Sequence, residues 1–275
     1  MAKIYEVVDI EGKGLGCVAL KNIKRGALIL SETPQIQSSR KTLNEASQNG
    51  QVTRWIKSLL KSFNQMNEAD QLEFMTLCNI HDFQELPFCK KRIITEMIVG
   101  EKSQEQDFVE TLVKTINSEI DKIEKDPKKA EKILKICKIF VTNCYSSGVP
   151  MKTSRFNHSC RPNATPFSTT SGQNQIRAVK DIKAGEEINI CYLGGFNILR
   201  NKKFRQKLLY TWHFVCSCDL CKNDQLDTDA FEALVQEAAI CSQKRPTSFL
   251  SKEEALISYP LETCRREVKC CKEIY

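Results

Sequence analysis

Cys216-x-Cys218-x-x-Cys221 is the stretch whose residue types and spacing most directly imply chemistry. Three thiols so spaced fit within one tight turn and reach three corners of a tetrahedron, and a structural zinc ion takes four ligands in that geometry. His213, Cys191 and Cys160 are the local candidates for the fourth. Any of these would close the set with a fourth protein ligand and leave no open coordination position, which argues against a zinc hydrolase. A second cluster is Ser154-Arg155-Phe156-Asn157-His158-Ser159-Cys160-Arg161-Pro162-Asn163. Asn, His, Ser and Cys in succession make neither a good helix nor an alternating strand, so the run reads as a loop whose polar groups have specific partners. Its echo is Gly185-Glu186-Glu187-Ile188-Asn189-Ile190-Cys191-Tyr192. There a strand over 187–191 ends on Tyr192, an aromatic placed to project into a site from a strand terminus.

The elements that must position these groups can be read from their periods. Residues 4–33 read as strands: Ile4, Glu6, Val8 and Ile10 alternate with Tyr5, Val7 and Asp9, and two further short strands cover 17–20 and 27–30. Gly12, Gly14 and Gly16 punctuate the first turn. No Lys-Ser/Thr pair follows, and a strand rather than a helix comes next, so neither phosphate-loop nor dinucleotide fingerprint is met. Glycines here are expected to let backbone approach a ligand closely. From about 45 to 143 the period becomes helical. Trp55, Leu59 and Phe63 share one face, as do Leu112, Ile116, Ile120 and Ile123, and Pro127 opens a further helix through Ile133, Cys137 and Phe140. Cys78, His81 and Cys89 are widely spaced and are read as core residues rather than ligands. A strand and turn over 175–184 is expected to bring the Tyr192 run back beside Asn157. Beyond Cys221 the pattern is helical again, through Phe231 and Leu234 and a Ser251-x-x-Glu254 capping box.

Bulk composition narrows the classes. At 275 residues, 41% hydrophobic and 27% charged, the chain has the make-up of a globular protein with a real core. Its net charge of +7 comes from dispersed Lys and Arg, so no direct nucleic-acid binding is expected. The first residues carry charges where a secretory signal has its apolar core, and no apolar run approaches the ~18 residues that span a bilayer. Fourteen cysteines without an export signal read as reduced thiols plus a metal site. The expectation is a monomer in the cytoplasm or nucleus, with no membrane association.

Asn157-His158-Ser159-Cys160-x-Pro162-Asn163, Gly185-Glu186-Glu187-x-x-Ile190-x-Tyr192 and Cys216-x-Cys218-x-x-Cys221, preceded by Gly12-Lys13-Gly14-Leu15-Gly16, resemble the SET-domain protein lysine methyltransferases. Within that family the likeness is to the SET-and-MYND (SMYD) branch. The resemblance implies an α+β fold in which small sheets surround a pseudo-knot. It places SET parts at 1–44 and 131–200, a helical insert at 45–130, a zinc-binding post-SET segment at 201–223 and a short helical tail at 224–275. It implies S-adenosylmethionine as methyl donor, held by Lys13, Gly14, Leu15, Asn143, Arg155, Asn157, His158, Tyr192 and Phe214. Tyr192 would be the catalytic residue, Tyr145 and Trp212 would wall the substrate channel, and Cys160 would complete the zinc site with Cys216, Cys218 and Cys221. The partner implied is a lysine of a histone or other protein. Such a reaction needs a neutral amine, which a narrow apolar channel supplies by pushing the lysine pKa down.

Two departures stand out. The insert lacks the dense Cys/His cluster of a MYND finger. Trp212 stands where many relatives carry tyrosine, which keeps the aromatic wall but loses a hydroxyl. These departures define the alternative reading, a catalytically silent SET scaffold.

Overall fold

The computed structural model describes residues 3–79, 104–194, 197–198, 201–209, 212 and 214–223. The helical tail expected at 224–275, His81, Cys89 and His213 lie outside the described residues.

Two small sheets carry the site. In the first, β1 (Tyr5–Ile10) and β2 (Gly14–Ala19) form an antiparallel hairpin in which Ile10 faces Gly14. Gly14 has φ +72°, a left-handed conformation that a β-carbon would strain, and this lets the chain reverse. Two later strands complete this sheet, β4 (Asn157–His158) and β7 (Glu187–Ile190), in the order β1-β2-β7-β4. The second sheet has the order β3-β6-β5, from β3 (Leu28–Glu32), β5 (Ala164–Ser168) and β6 (Asn174–Ala178). Ile29, Leu30, Phe156, Ile176, Ile188 and Ile190 fill the core that these strands share.

The expected loop over Asn157 and His158 is in fact a two-residue strand. Its local sequence has no strand signal, because the pairing is long-range and parallel: Asn157 faces Asn189 and His158 faces Ile190. The fold thereby lays the two chemistry-bearing runs side by side. Tyr192 follows two residues after β7 ends.

Among the described residues five helices pack as a second unit: α1 (Arg40–Gln48), α2 (Val52–Gln65), α3 (Glu68–Met75), α4 (Gln104–Ile123) and α5 (Pro127–Asn143). Caps fix three of the starts. Ser39 accepts from the Thr42 amide, Asn67 from Asp70, and Asp126 from Lys128 and Lys129 ahead of a helix that opens on Pro127. The apolar faces read from the sequence are the buried ones: Trp55, Leu59 and Phe63 on α2 meet Leu112, Ile116 and Ile120 of α4 and Ile136, Cys137 and Phe140 of α5. The helical core draws on residues from Ile36 to Met151 and takes in Ile136, Cys137, Ile139, Phe140 and Val141 of α5.

Two short helices, α6 (Lys202–Leu209) and α7 (Asp219–Asn223), flank the cysteine turn. Around it Cys160, Leu193, Leu209, Cys216, Leu220 and Cys221 make a third, smaller core. No helix among the described residues is long and apolar enough to cross a membrane.

Candidate active site

A cavity of about 710 Å³ opens where the strand pair β4–β7 meets the hairpin, the end of α5 and the cysteine turn. It is lined by Lys13, Leu15, Asn143, Tyr145, Arg155, Asn157, His158, Tyr192, Trp212 and Phe214. Nearly all the side chains expected at a cofactor and substrate site thus border one space. Gly14 does not line it but turns the hairpin between the two residues that do.

Tyr192 is held at both ends. Its hydroxyl donates to the Phe156 carbonyl at 2.8 Å, and its backbone N–H donates to Nδ1 of His158 at 2.9 Å. Burial first, then the neighbouring Tyr145, Cys78, Cys17 and Glu187, push the Tyr192 phenol well above its ordinary range, so it is a neutral hydroxyl at physiological pH. Burial pushes Tyr145 up as well. Trp212 packs 5.5 Å from Tyr192 between ring centroids, and Phe214 lies edge-on to Tyr192 at 6.1 Å. These rings form an aromatic wall beside the phenol.

His158 is a neutral imidazole, held down to about 3 by burial. Accepting at Nδ1 places its proton on Nε2, which lies 3.3 Å from the Cys160 sulfur. Both ring nitrogens are therefore engaged by the protein. The side chain expected on the adenine side lines the cavity and also joins the tyrosine backbone to the cysteine cluster.

At the hairpin side, Glu187 gathers three elements. Its carboxylate accepts from Asn157 Nδ2 at 3.0 Å and pairs with Lys13 Nζ at 2.5 Å. Gly16 permits this approach, since a β-carbon there would sit 2.5 Å from Asn157 Nδ2. The glycine spacing read from sequence thus has a steric cause, although the nearest group is a protein amide. Asn143 spends its amide on the carbonyls of Cys78 and Ile139. Arg155 donates to the carbonyls of Glu73 and Thr76 at the end of α3 and to the Thr76 hydroxyl. Both residues line the cavity and at the same time fasten the helical unit to it.

Cys160, Cys216, Cys218 and Cys221 bring their sulfurs within 4.8 Å of one another. The sulfurs of Cys160 and Cys216 lie 3.9 Å apart, and those of Cys160 and Cys221 3.6 Å apart. Tetrahedral zinc with bonds of about 2.3 Å needs sulfur–sulfur edges of about 3.8 Å. The four thiols fit that ion. Cys191, an alternative fourth ligand, points its thiol at the Leu193 carbonyl instead. Packed this closely, the thiols are inequivalent: contacts with its three neighbours push Cys160 up, and the same kind of contact holds Cys218 down.

Sequence reasoning passed over α6. Gln206 clamps Cys216 from both sides, donating to its carbonyl at 2.7 Å and accepting from its amide at 2.9 Å. Arg205 is wholly buried and donates to the Cys221 sulfur at 3.6 Å. In the run KKFRQKLL these two polar residues look like part of a solvated face. Only their spacing to Leu209, also fully buried, hints at an inward stripe.

The sequence matches the SET domain family over residues 14–193. It is 40% identical over 98 residues to a chicken (Gallus gallus) protein named protein-lysine N-trimethyltransferase SMYD5, a match covering 35% of this chain and 23% of that one. It is 30% identical over 149 residues to a SET and MYND domain-containing protein of Dictyostelium discoideum, covering 50% of this chain and 37% of the other. These matches take in well under half the length of either relative. Among solved structures, Rubisco LSMT bound to AdoMet aligns with a TM-score of 0.50 at 17% identity, over 86% of this chain and 59% of that one. That likeness is one of fold.

Proposed function

The chain belongs to the SET-domain family, and from that premise we propose that it is an S-adenosylmethionine-dependent protein-lysine N-methyltransferase acting on a histone or another protein. The observation that carries the reading is Tyr192, a neutral phenol anchored by both ends at a cavity where the Asn157 and Glu187 runs converge.

The cavity suits the donor. Its volume falls within the roughly 300–1,000 Å³ of small-ligand sites. Asn189 lines it with a buried Oδ1 that has no hydrogen-bond partner among the described residues, an acceptor available to a ligand N–H. When bound, S-adenosylmethionine supplies a methyl group on a sulfonium sulfur.

The protein's part is positioning. The Tyr192 proton is committed to the Phe156 carbonyl, which leaves the phenol oxygen to accept an N–H from an incoming amine. A lysine enclosed beside Tyr145, Tyr192 and Trp212 loses hydration, and desolvation disfavours its charged form. No strong base is then required at the transfer point. Alignment of the two reactants can supply up to about 7–11 kcal/mol of the barrier reduction. The four-cysteine zinc site would hold Trp212 and Phe214, which immediately precede Cys216, against the cavity.

Incubation with methyl-labelled donor, histones and a cell lysate tests the proposal. Label recovered as methyl-lysine in protein is the expected result. Donor binding with no transfer to any acceptor would give the silent scaffold instead, and absence of donor binding would remove the reading.

A further inference from the structure

Four thiolates around one divalent cation leave two net negative charges. Here the sulfurs of Cys160, Cys216 and Cys221 are buried. An uncompensated charge of that size is expensive away from water. Among the fully buried side chains of the described residues Arg205 is the largest, at 0% exposure, and its guanidinium Nη2 donates to the Cys221 sulfur at 3.6 Å. Arginine is almost never buried without a charge to meet. It stays protonated under all working conditions, and its guanidinium loses less hydration energy on burial than an ammonium would. The neighbouring Gln206 fixes the backbone of Cys216 from the same turn of α6, so this helix reaches the cluster with one cation and one amide.

We propose that Arg205 is the built-in counter-charge of the four-cysteine centre, a positioning residue that halves its net negative charge and slows loss of the metal. The inference rests on reading the cluster as a zinc site. It goes beyond the ligand set by naming an α6 side chain that tunes it. Outer-shell partners of this kind are worth about ten- to a hundredfold in metal affinity.

The competing role is packing, with the arginine stem merely filling space between α6 and the cysteine turn. A double-mutant cycle separates the two. Arg205→Met keeps most of the volume and removes the charge. Cys218→His converts the site to a three-thiolate, one-imidazole set, still tetrahedral but with one negative charge fewer. Both changes leave in place Cys221, the sulfur to which Arg205 donates.

Zinc content of the purified full chain is measured first, followed by the rate of zinc release into excess chelator. We expect one equivalent of zinc in the wild type. Release should be about ten- to a hundredfold faster in Arg205→Met, with Arg205→Lys in between. Placed on Cys218→His, Arg205→Met should accelerate release by a clearly smaller factor. An equal factor in both backgrounds, or none in the wild-type background, overturns the counter-charge role while leaving the zinc reading intact. Absence of zinc from the wild type overturns both. Should Arg205→Met fail to fold, folding restored by Cys218→His supports the proposal, and folding not restored refutes it.

Discussion

Tyr192 concentrates the chemistry at the residue scale. Its phenol donates to Phe156 and is kept neutral by burial, so in the proposed reaction its part is to place an incoming amine. Tyr192→Phe keeps the ring among His158, Trp212 and Phe214 and deletes only the oxygen. Turnover should fall by about 10²–10³-fold, the usual cost of losing one transition-state hydrogen bond, while donor affinity stays within a small factor. Steady-state kinetics beside equilibrium donor binding would check this, and unchanged turnover would show that the tyrosine is misassigned. Much at this scale was legible from sequence. The cysteine spacing, the polar run before Pro162 and the aromatic ending a strand each announce themselves locally. Arg205, Gln206 and the dual engagement of His158 were not legible, because their partners lie ten or more residues away or across a parallel strand pairing.

Among the elements, α3 and the short turn at Thr153–Arg155 form the joint between the helical unit and the strands. Glu32 accepts from the backbone amides of Lys152 and Thr153, fixing the start of that turn to β3. Arg155 then meets the carbonyl end of α3, where a cation complements both the unpaired acceptors and the helix dipole. Arg155→Ala should therefore cost about 1–2 kcal/mol of stability, read as a lower urea midpoint, with faster amide exchange across α3. An unmoved midpoint would mean the contact carries no weight. Helix faces were readable in advance because a 3.6-residue period is a local property, and Trp55, Leu59 and Phe63 are buried as expected. The packing partner of α5 was not readable from that period. α5 continues the helical pattern smoothly, and only its packing shows which unit it joins.

At the scale of the whole molecule, three cores among the described residues meet around one cavity, and several weakly acidic groups are buried or half-buried in neutral form. Burial pushes the thiols of Cys17 and Cys137 from an ordinary 9.0 up to about 12, and raises the phenols of Tyr5, Tyr145 and Tyr192. Above pH 9 the unfolded chain releases protons that the native state retains. Stability from these groups is therefore complete below about pH 9 and is lost as pH rises from there toward the native values. Urea midpoints under reducing conditions should fall between about pH 8 and about pH 11, and a flat profile would contradict the buried, neutral assignment. The convergence of these cores is the part of the architecture that sequence conveys least directly. It became foreseeable only because several separated motifs occur in one order.

In the proposed reaction this cavity receives a methyl donor against Asn157 and Tyr192. Calorimetric titration of S-adenosylmethionine into the full chain tests it most directly. Saturable one-to-one binding to the wild type is expected, weakened about tenfold or more in Asn157→Ala, a loss of about 1.4 kcal/mol. A wild-type chain that is folded and binds no donor would contradict it.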